Sequence, residues 1–190
     1  MAQKKIKKIV VIGSNSFSAG SLINFLLNKN FKVYGISRSK INSKNFLRFD
    51  PKNKNFIFKK LDLNKNCHKI LEIVKRTKPN YVINYVSQSM VGQSWQNASD
   101  WFYTNSYSTI KLYDLISKLK NRTKLIHVST PEVYGSLKSI TTENNLYNPT
   151  TPYAVSRVTA DQFLKILHER NKINYCSIRA SNVYGEHQRL

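Results

Sequence analysis

Hydrophobic and polar positions along this chain follow two periods in turn. The run Ile6-Lys7-Lys8-Ile9-Val10-Val11-Ile12 predicts a strand, and beyond Gly13 the apolar positions Leu22, Ile23, Phe25, Leu26 and Leu27 fall at helical spacing. Phe31 to Ile36 predicts a second strand ending at Ser37-Arg38, residues 40–54 a polar loop, and Phe56-Ile57-Phe58 a short third strand. Ile70, Leu71, Ile73 and Val74 mark a second helix, which Pro79 stops. Next come a fourth strand over Tyr81–Val86, a long helix over 100–120 with Ile110, Leu112, Leu115, Ile116 and Leu119 on its apolar side, and a fifth strand over Lys124–Ser129. A helix over Tyr153–Arg170 and a sixth strand over Ile173–Ile178 complete the series. Strands alternating with helices predict an α/β fold with a doubly wound parallel sheet, whose ligand crevice lies at the carboxyl ends of the strands.

Composition narrows the class. A chain of 190 residues, 41% hydrophobic, can bury one sizeable core. Cys67 and Cys176 belong to no Cys-x-x-Cys or Cys/His array, which argues against a disulfide framework and a zinc site and for a reducing, cytoplasmic compartment. His68, His127, His168 and His187 are scattered and read as hydrogen-bonded or solvated imidazoles, so no metal is expected. The lysines at 4, 5, 7 and 8 precede an apolar run that stops at Gly13 without a small-residue cleavage site, so the run reads as a strand. No segment has the length of a membrane span.

Charge changes the picture more. The formal net charge is +21 at pH 7, and residues 1–80 hold 19 Lys/Arg against Asp50, Asp62 and Glu72, an excess of 16. Such a field attracts polyanions. The lysines are nevertheless spread over strand edges, loops and helix faces among asparagines, with no nucleic-acid motif, so they read as a solvated basic surface without dedicated nucleic-acid binding. A pyrophosphate-bearing ligand would also feel this field.

Three places carry candidate chemistry. Gly13, Ser16, Ala19 and Gly20 form a degraded version of the glycine spacing that lets backbone N–H groups approach a pyrophosphate at a helix N-terminus, although an ordinary strand-to-helix turn has the same signature. At the end of the second strand, Ser37-Arg38-Ser39-Lys40 offers hydroxyls and a cation where an acid would bind a ribose 2′-hydroxyl, which suits a 2′-phosphate and points to NADP over NAD. Tyr153 and Arg157 stand four residues apart, a phenol and a fixed cation on one helix face. A phenol ordinarily ionises near pH 10, so accepting a proton near neutrality asks for about 4 kcal/mol of differential stabilisation, much of which a neighbouring cation can supply.

Together with Asn84–Ser89, Ser129–Gly135 and Arg179–Gly185, these segments resemble the extended short-chain dehydrogenase/reductase family, particularly its nucleotide-sugar 4,6-dehydratases and epimerases. The resemblance runs from the first strand to the C-terminus. Val33–Ser39 and Asn84–Gly92 are most similar to the GDP-mannose 4,6-dehydratase branch, which uses NADP. The resemblance implies a Rossmann fold over residues 1–180, with 181–190 starting a substrate-binding region that family members continue for on the order of another hundred residues. It also implies a nucleotide-diphosphate sugar as substrate and a homodimer or homotetramer.

The same resemblance assigns residues. Gly13, Asn15, Ser16, Phe17, Ser18, Ser37, Arg38, Asp62, Leu63, Val86, Ser87 and Gln88 would contact the cofactor, with Asp62-Leu63 beside the adenine, and Tyr153 and Arg157 would reach it too. Asn105 matches a helix motif that supports the active site. Thr130 would bind the sugar oxygen beside Tyr153, Glu132 matches the carboxylate that dehydratases and decarboxylating relatives share, and Ser89 and Asn182 would contact substrate. Pro131 replaces an acid of the thymidine-diphosphoglucose branch that the GDP-mannose branch lacks. Arg157 departs from the family lysine, which also holds the nicotinamide ribose; a planar fork keeps the charge but alters the geometry. The implied reaction is 4,6-dehydration to a 4-keto-6-deoxy sugar nucleotide; 4-epimerisation, uronate decarboxylation and a catalytically idle dinucleotide-binding module are the alternatives.

Overall fold

In the computed structural model, which describes residues 7–119, 123–137, 140, 142–143 and 146–188, the strands are β1 (Lys8–Ile12), β2 (Lys32–Ser37), β3 (Phe56–Lys60), β4 (Tyr81–Asn84), β5 (Lys124–Val128) and β6 (Asn174–Ile178). All pair in parallel, in the order β3-β2-β1-β4-β5-β6. The first-strand reading began at Ile6, which lies outside the described residues. The order reverses between β1 and β4, and that reversal opens the crevice expected of a doubly wound sheet.

Alternation along β1 explains the layers. Val10 and Ile12 point into one core with α2 (Leu63–Thr77), α4 (Thr109–Ser117) and α5 (Pro152–Glu169). Ile9 and Val11 point into the other, with Ala19, Ile23, Leu26 and Leu27 of α1 (Phe17–Asn28). Both Val10 and Val11 are wholly buried, as a central parallel strand covered on both faces requires.

Helix starts follow local hydrogen-bond chemistry. The Ser16, Asp62 and Thr151 side chains accept from the backbone N–H groups of Ala19, Asn64 and Ala154, capping α1, α2 and α5, and Pro152 occupies the first turn of α5.

Two sequence expectations need correction. The helix expected over 100–120 is α3 (Ala98–Trp101), a π-helical segment (Phe102–Ser108) and then α4. Its middle buries Thr104, Asn105, Ser106 and Ser108 where an ordinary core-facing helix would bury apolar residues, and the Thr109 hydroxyl donates to the Thr104 carbonyl five residues back. Wider π turns of this kind gather at functional positions. The loop over 40–54 is less polar in effect than its composition: it contains a 3₁₀ turn (Lys44–Phe46), buries Leu47 and Phe49, and sets the Phe49 ring edge-on to Phe56 at 4.7 Å.

A buried polar network crosses the carboxyl half of the sheet. Asn84 Nδ2 donates to the Tyr113 hydroxyl (2.9 Å), which therefore gives its own proton to His127 Nδ1 (2.6 Å). That leaves the proton of His127 on Nε2, 3.4 Å from Asp161 Oδ1. Asp161 also accepts from Ser129 Oγ (3.0 Å) and from Arg179 Nε and Nη2 (3.2 and 3.1 Å). Burial, and then the Arg157 and Arg179 cations, hold the His127 pKa well below its ordinary 6.5.

Two outcomes follow from this packing. A Cβ at Gly35 would lie 2.8 Å from the Phe56 ring and 3.1 Å from Ser14 Cβ, so Gly35→Ala should cost about 1–3 kcal/mol and lower Tm in thermal unfolding. His127 is neutral in the fold, whereas the unfolded chain takes up a proton as pH falls below 6.5. Its contribution is therefore present above that pH and lost below it, at up to about 1.4 kcal/mol per pH unit. Melting curves from pH 7.5 to 5 should show Tm falling towards acid, and His127→Gln should flatten that slope; equal slopes for the two proteins would contradict the assignment.

Candidate functional site

The cleft at the carboxyl ends of β1, β2 and β4 encloses about 290 Å³. Gly13, Asn15 and Ser16 line it from the β1–α1 turn, Ser37 and Arg38 from the end of β2, Asp62 and Leu63 from the start of α2, and Val86, Ser87 and Gln88 from the chain after β4. Ten of the expected cofactor contacts thus meet in one cavity. Phe17 and Ser18 lie in the first turn of α1 outside its lining, and the Phe17 ring carries the Arg48 guanidinium 4.6 Å from its centroid. Ser39, from the segment read as suiting a 2′-phosphate, also lines the cleft, and Asn42, Asn64, Tyr85 and Thr104 line it without having been expected to do so.

The turn at the base of the cleft requires glycine. Gly13 has φ +83°, and a Cβ there would lie 2.9 Å from the carbonyl carbon of Tyr85 and 3.0 Å from the amide nitrogen of Val86. The N–H groups of Gly13 and Ser14 both donate to the Ile36 carbonyl, at 2.8 and 3.0 Å. Asn15 Nδ2 reaches Ser39 Oγ (3.0 Å) and the Lys40 carbonyl (2.7 Å), and Asn42 Nδ2 returns to the Asn15 carbonyl (3.0 Å). The β1–α1 turn and the chain after β2 therefore form one connected wall, with Arg38 exposed on it. Asp62 spends one carboxylate oxygen on the α2 cap, accepting from Asn64 N at 2.9 Å.

After Asn84, side chains replace the sheet ladder in holding the backbone. Asn84 Oδ1 accepts from Val86 N (3.0 Å). The fully buried Asn105 accepts from Gln88 N (2.8 Å) and donates to the Gln88 carbonyl and Ser156 Oγ (both 3.0 Å). A side-chain amide satisfying both ends of one residue's peptide group fixes its orientation. The π-helical segment is what sets Asn105 in this position.

The reacting groups expected from sequence lie on the chain after β5 and in the first turn of α5, and the two elements pack together. Thr130 is buried and caps a 3₁₀ turn (Pro131–Tyr134), its Oγ1 accepting from Glu132 N at 3.3 Å. Glu132 is half-buried on that turn, and α5 packs against it. Tyr153, in the first turn of α5, is buried, and its backbone N–H donates to Ser94 Oγ (3.2 Å). Ser89 and Asn182 are exposed. The Thr130–Glu132 turn is held at both ends: Asp161 binds Ser129 Oγ before it, and Arg179 Nη1 donates to the Tyr134 hydroxyl after it (2.9 Å). The Tyr147 hydroxyl takes a further Arg179 N–H. Burial and the Asp161 charge push its pKa up to about 12, so it stays protonated.

Arg157 does not line the cleft. It is 1% exposed; Nη2 donates to the Val128 carbonyl, Nη1 lies 3.5 Å from the Val86 carbonyl, and Nη2 lies 3.5 Å from His127 Nε2. Asp161 carries no assigned role in the sequence reading, yet it continues the four-residue spacing of Tyr153 and Arg157 and shares their helix face. Among the described residues, no group of three or more His, Cys, Asp or Glu side chains is placed to hold a metal, both cysteines are free, and no helix is long and apolar enough to cross a membrane.

Residues 11–190 match the family model described as GDP-mannose 4,6 dehydratase. The chain is 26% identical to the dTDP-glucose 4,6-dehydratase of Haemophilus influenzae, over 95% of its own length and 57% of that protein. It is 30% identical to the dTDP-D-glucose 4,6-dehydratase of Homo sapiens, over 96% of its own length and 53% of that protein. Among solved structures, the UDP-N-acetylglucosamine 4-epimerase of Methanobrevibacter ruminantium M1, in complex with UDP-N-acetylmuramic acid, matches with a TM-score of 0.86 at 25% identity, over 97% of this chain and 58% of that one. The UDP-glucuronic acid 4-epimerase of Bacillus cereus, in complex with UDP-glucuronic acid and NAD, matches with a TM-score of 0.79 at 26% identity, over 96% and 59%. The chain thus spans a little over half the length of these relatives. On its sheet order, its crevice and these matches, the chain belongs to the GDP-mannose 4,6-dehydratase family, among the nucleotide-sugar dehydratases and epimerases of the extended short-chain dehydrogenase/reductase group.

Proposed function

We propose that this chain carries the dinucleotide-binding part of an NADP-dependent nucleotide-sugar 4,6-dehydratase of the GDP-mannose type. The observation that carries the reading is Glu132, set on the 3₁₀ turn that Thr130 caps and that packs against α5, the helix whose first turn holds Tyr153. A carboxylate, together with a phenol and a hydroxyl, supplies the proton acceptors that an elimination next to an oxidised carbon needs.

The cleft fits a dinucleotide. Its base is a glycine turn that no side chain could occupy, and it opens at the N-terminus of α1. NADP is favoured by Ser37 and Arg38 at the end of β2, where a cation suits a 2′-phosphate. When bound, the nicotinamide provides reversible oxidation and reduction of the sugar. Tyr153 takes the proton of the C4 hydroxyl, Thr130 binds the same oxygen, and Arg157 contributes a fixed positive charge four residues along the helix. Glu132 takes the proton from C5 and passes it to the C6 hydroxyl, which leaves as water as the C6–O bond breaks. Ser89 and Asn182 contact the sugar nucleotide from the exposed rim. A second reading, 4-epimerisation, is favoured by the match to 4-epimerase structures and makes no use of Glu132 as a base.

Titration with each cofactor should show NADP bound on the order of tenfold more tightly than NAD, and Arg38→Ala should remove most of that difference; equal or tighter binding of NAD would overturn the NADP assignment. With GDP-mannose, the full-length protein should form a 4-keto-6-deoxy product. Glu132→Gln should lower its rate by on the order of a hundredfold or more without changing cofactor affinity. A 4-epimer formed at equal rates by both proteins would favour the second reading.

A further inference from the structure

Resting on the dinucleotide reading of the cleft, we propose that Arg157 is a positioning residue, which ties the diverging ends of β4 and β5 together through their backbone carbonyls and is not a ligand of the cofactor ribose. The sheet itself cannot make this tie. The β4–β5 ladder ends at the pair Asn84 and His127, and Val86 and Val128 lie beyond it. Their carbonyls both point at one guanidinium. Nη2 donates to the Val128 carbonyl, while Nη1 faces that of Val86 at 3.5 Å.

The remaining groups around the guanidinium leave it little freedom to do anything else. His127 offers it no lone pair, because Nδ1 accepts from Tyr113 and Nε2 carries the proton directed at Asp161. Arg157 Nε has no hydrogen-bond partner among the described residues, and the side chain is 1% exposed. Turning the fork towards a ribose would strand two half-buried carbonyls, each costing on the order of tenfold in equilibrium terms.

What the tie positions is visible on either side. From Val86 the chain passes into Ser87 and Gln88, which line the cleft. From Val128 it passes into Ser129 and Thr130, the start of the turn that carries Glu132. A planar fork serves two separated carbonyls from different nitrogens, whereas the three donors of an ammonium all radiate from one nitrogen and reach only acceptors that crowd around it. This accounts for arginine here on geometric grounds, without a direct contact to ligand.

The test compares the native protein with Arg157→Lys and Arg157→Gln, using three readouts. Amide exchange without ligand should quicken on the order of tenfold at Ser87, Gln88, Ser129 and Thr130 in both variants, and little along β1 and β2. Affinity for NADP should fall on the order of tenfold in both variants, with lysine giving no rescue. Affinity for adenosine 2′,5′-bisphosphate, which engages only the Arg38 side of the cleft, should stay within about twofold. Lysine binding NADP as tightly as the native arginine, or more tightly, would make residue 157 a direct cationic ligand and overturn the proposal. Unchanged exchange at the four amides would also overturn it, as would uniformly faster exchange with loss of adenosine 2′,5′-bisphosphate binding, which would indicate general destabilisation. If the native protein binds neither NADP nor NAD, the dinucleotide reading fails, and the exchange pattern still decides whether Arg157 ties the strands.

Discussion

Asp161 is a carboxylate 2% exposed to solvent, lying where β5 and β6 end, and its oxygens gather donors from several elements. Removing such a group from water costs several kcal/mol unless cations and donors surround it. Here Arg179 supplies the cation and two N–H donors, Ser129 a hydroxyl, and His127 the N–H of a neutral imidazole. Each partner belongs to a different element, so satisfying one carboxylate fixes α5, β5 and the chain after β6 relative to each other. The Thr130–Glu132 turn inherits its position from this arrangement, held through Ser129 on one side and through Arg179 and Tyr134 on the other.

Helix α5 is therefore more than a cover for the sheet. Tyr153, Arg157 and Asp161 recur every four residues on one face, and their chemistry changes with depth. The phenol lies in the first turn, the guanidinium takes the carbonyls after β4 and at the end of β5, and the carboxylate gathers the partners from β5 and beyond. The apolar residues Ala160, Leu164 and Leu167 hold the same helix to the core. Packing supplies the stability of the helix, and its polar stripe supplies the register of the strand ends.

Much of this architecture was legible in the sequence because it depends on periodicity. The β-branched run of β1, the glycine at its end and the alternation of strands with helices specify a doubly wound sheet, and position along that pattern sends Gly13, Ser37, Asp62 and Val86 to one crevice. The π-helical segment was not legible. It replaces buried apolar residues with Thr104, Asn105, Ser106 and Ser108, and the partners of Thr104, Asn105 and Ser106 lie in sequence-distant elements, so a helical period gives no sign of it. The loop after β2 misled for the opposite reason: its lysines and asparagines outnumber Leu47 and Phe49, although those two residues anchor it. Asp161 did carry a signal, its four-residue spacing from Arg157, but hydrogen-bond partners such as Ser129 and Arg179 appear only once the strands are side by side.

Arg157 is where family resemblance and local geometry diverge. Resemblance places a cation there that touches the cofactor; the structure spends that cation on the Val86 and Val128 carbonyls. Arginine can accept this burial because its charge is delocalised and its donors are spread in a plane. A charge held in this way does not follow the ligand. A crystal structure of the protein bound to NADP tests this account most directly. It should show the 2′-phosphate against Arg38 and the Arg157 guanidinium still on the Val86 and Val128 carbonyls, and a guanidinium turned to the ribose hydroxyls would contradict it.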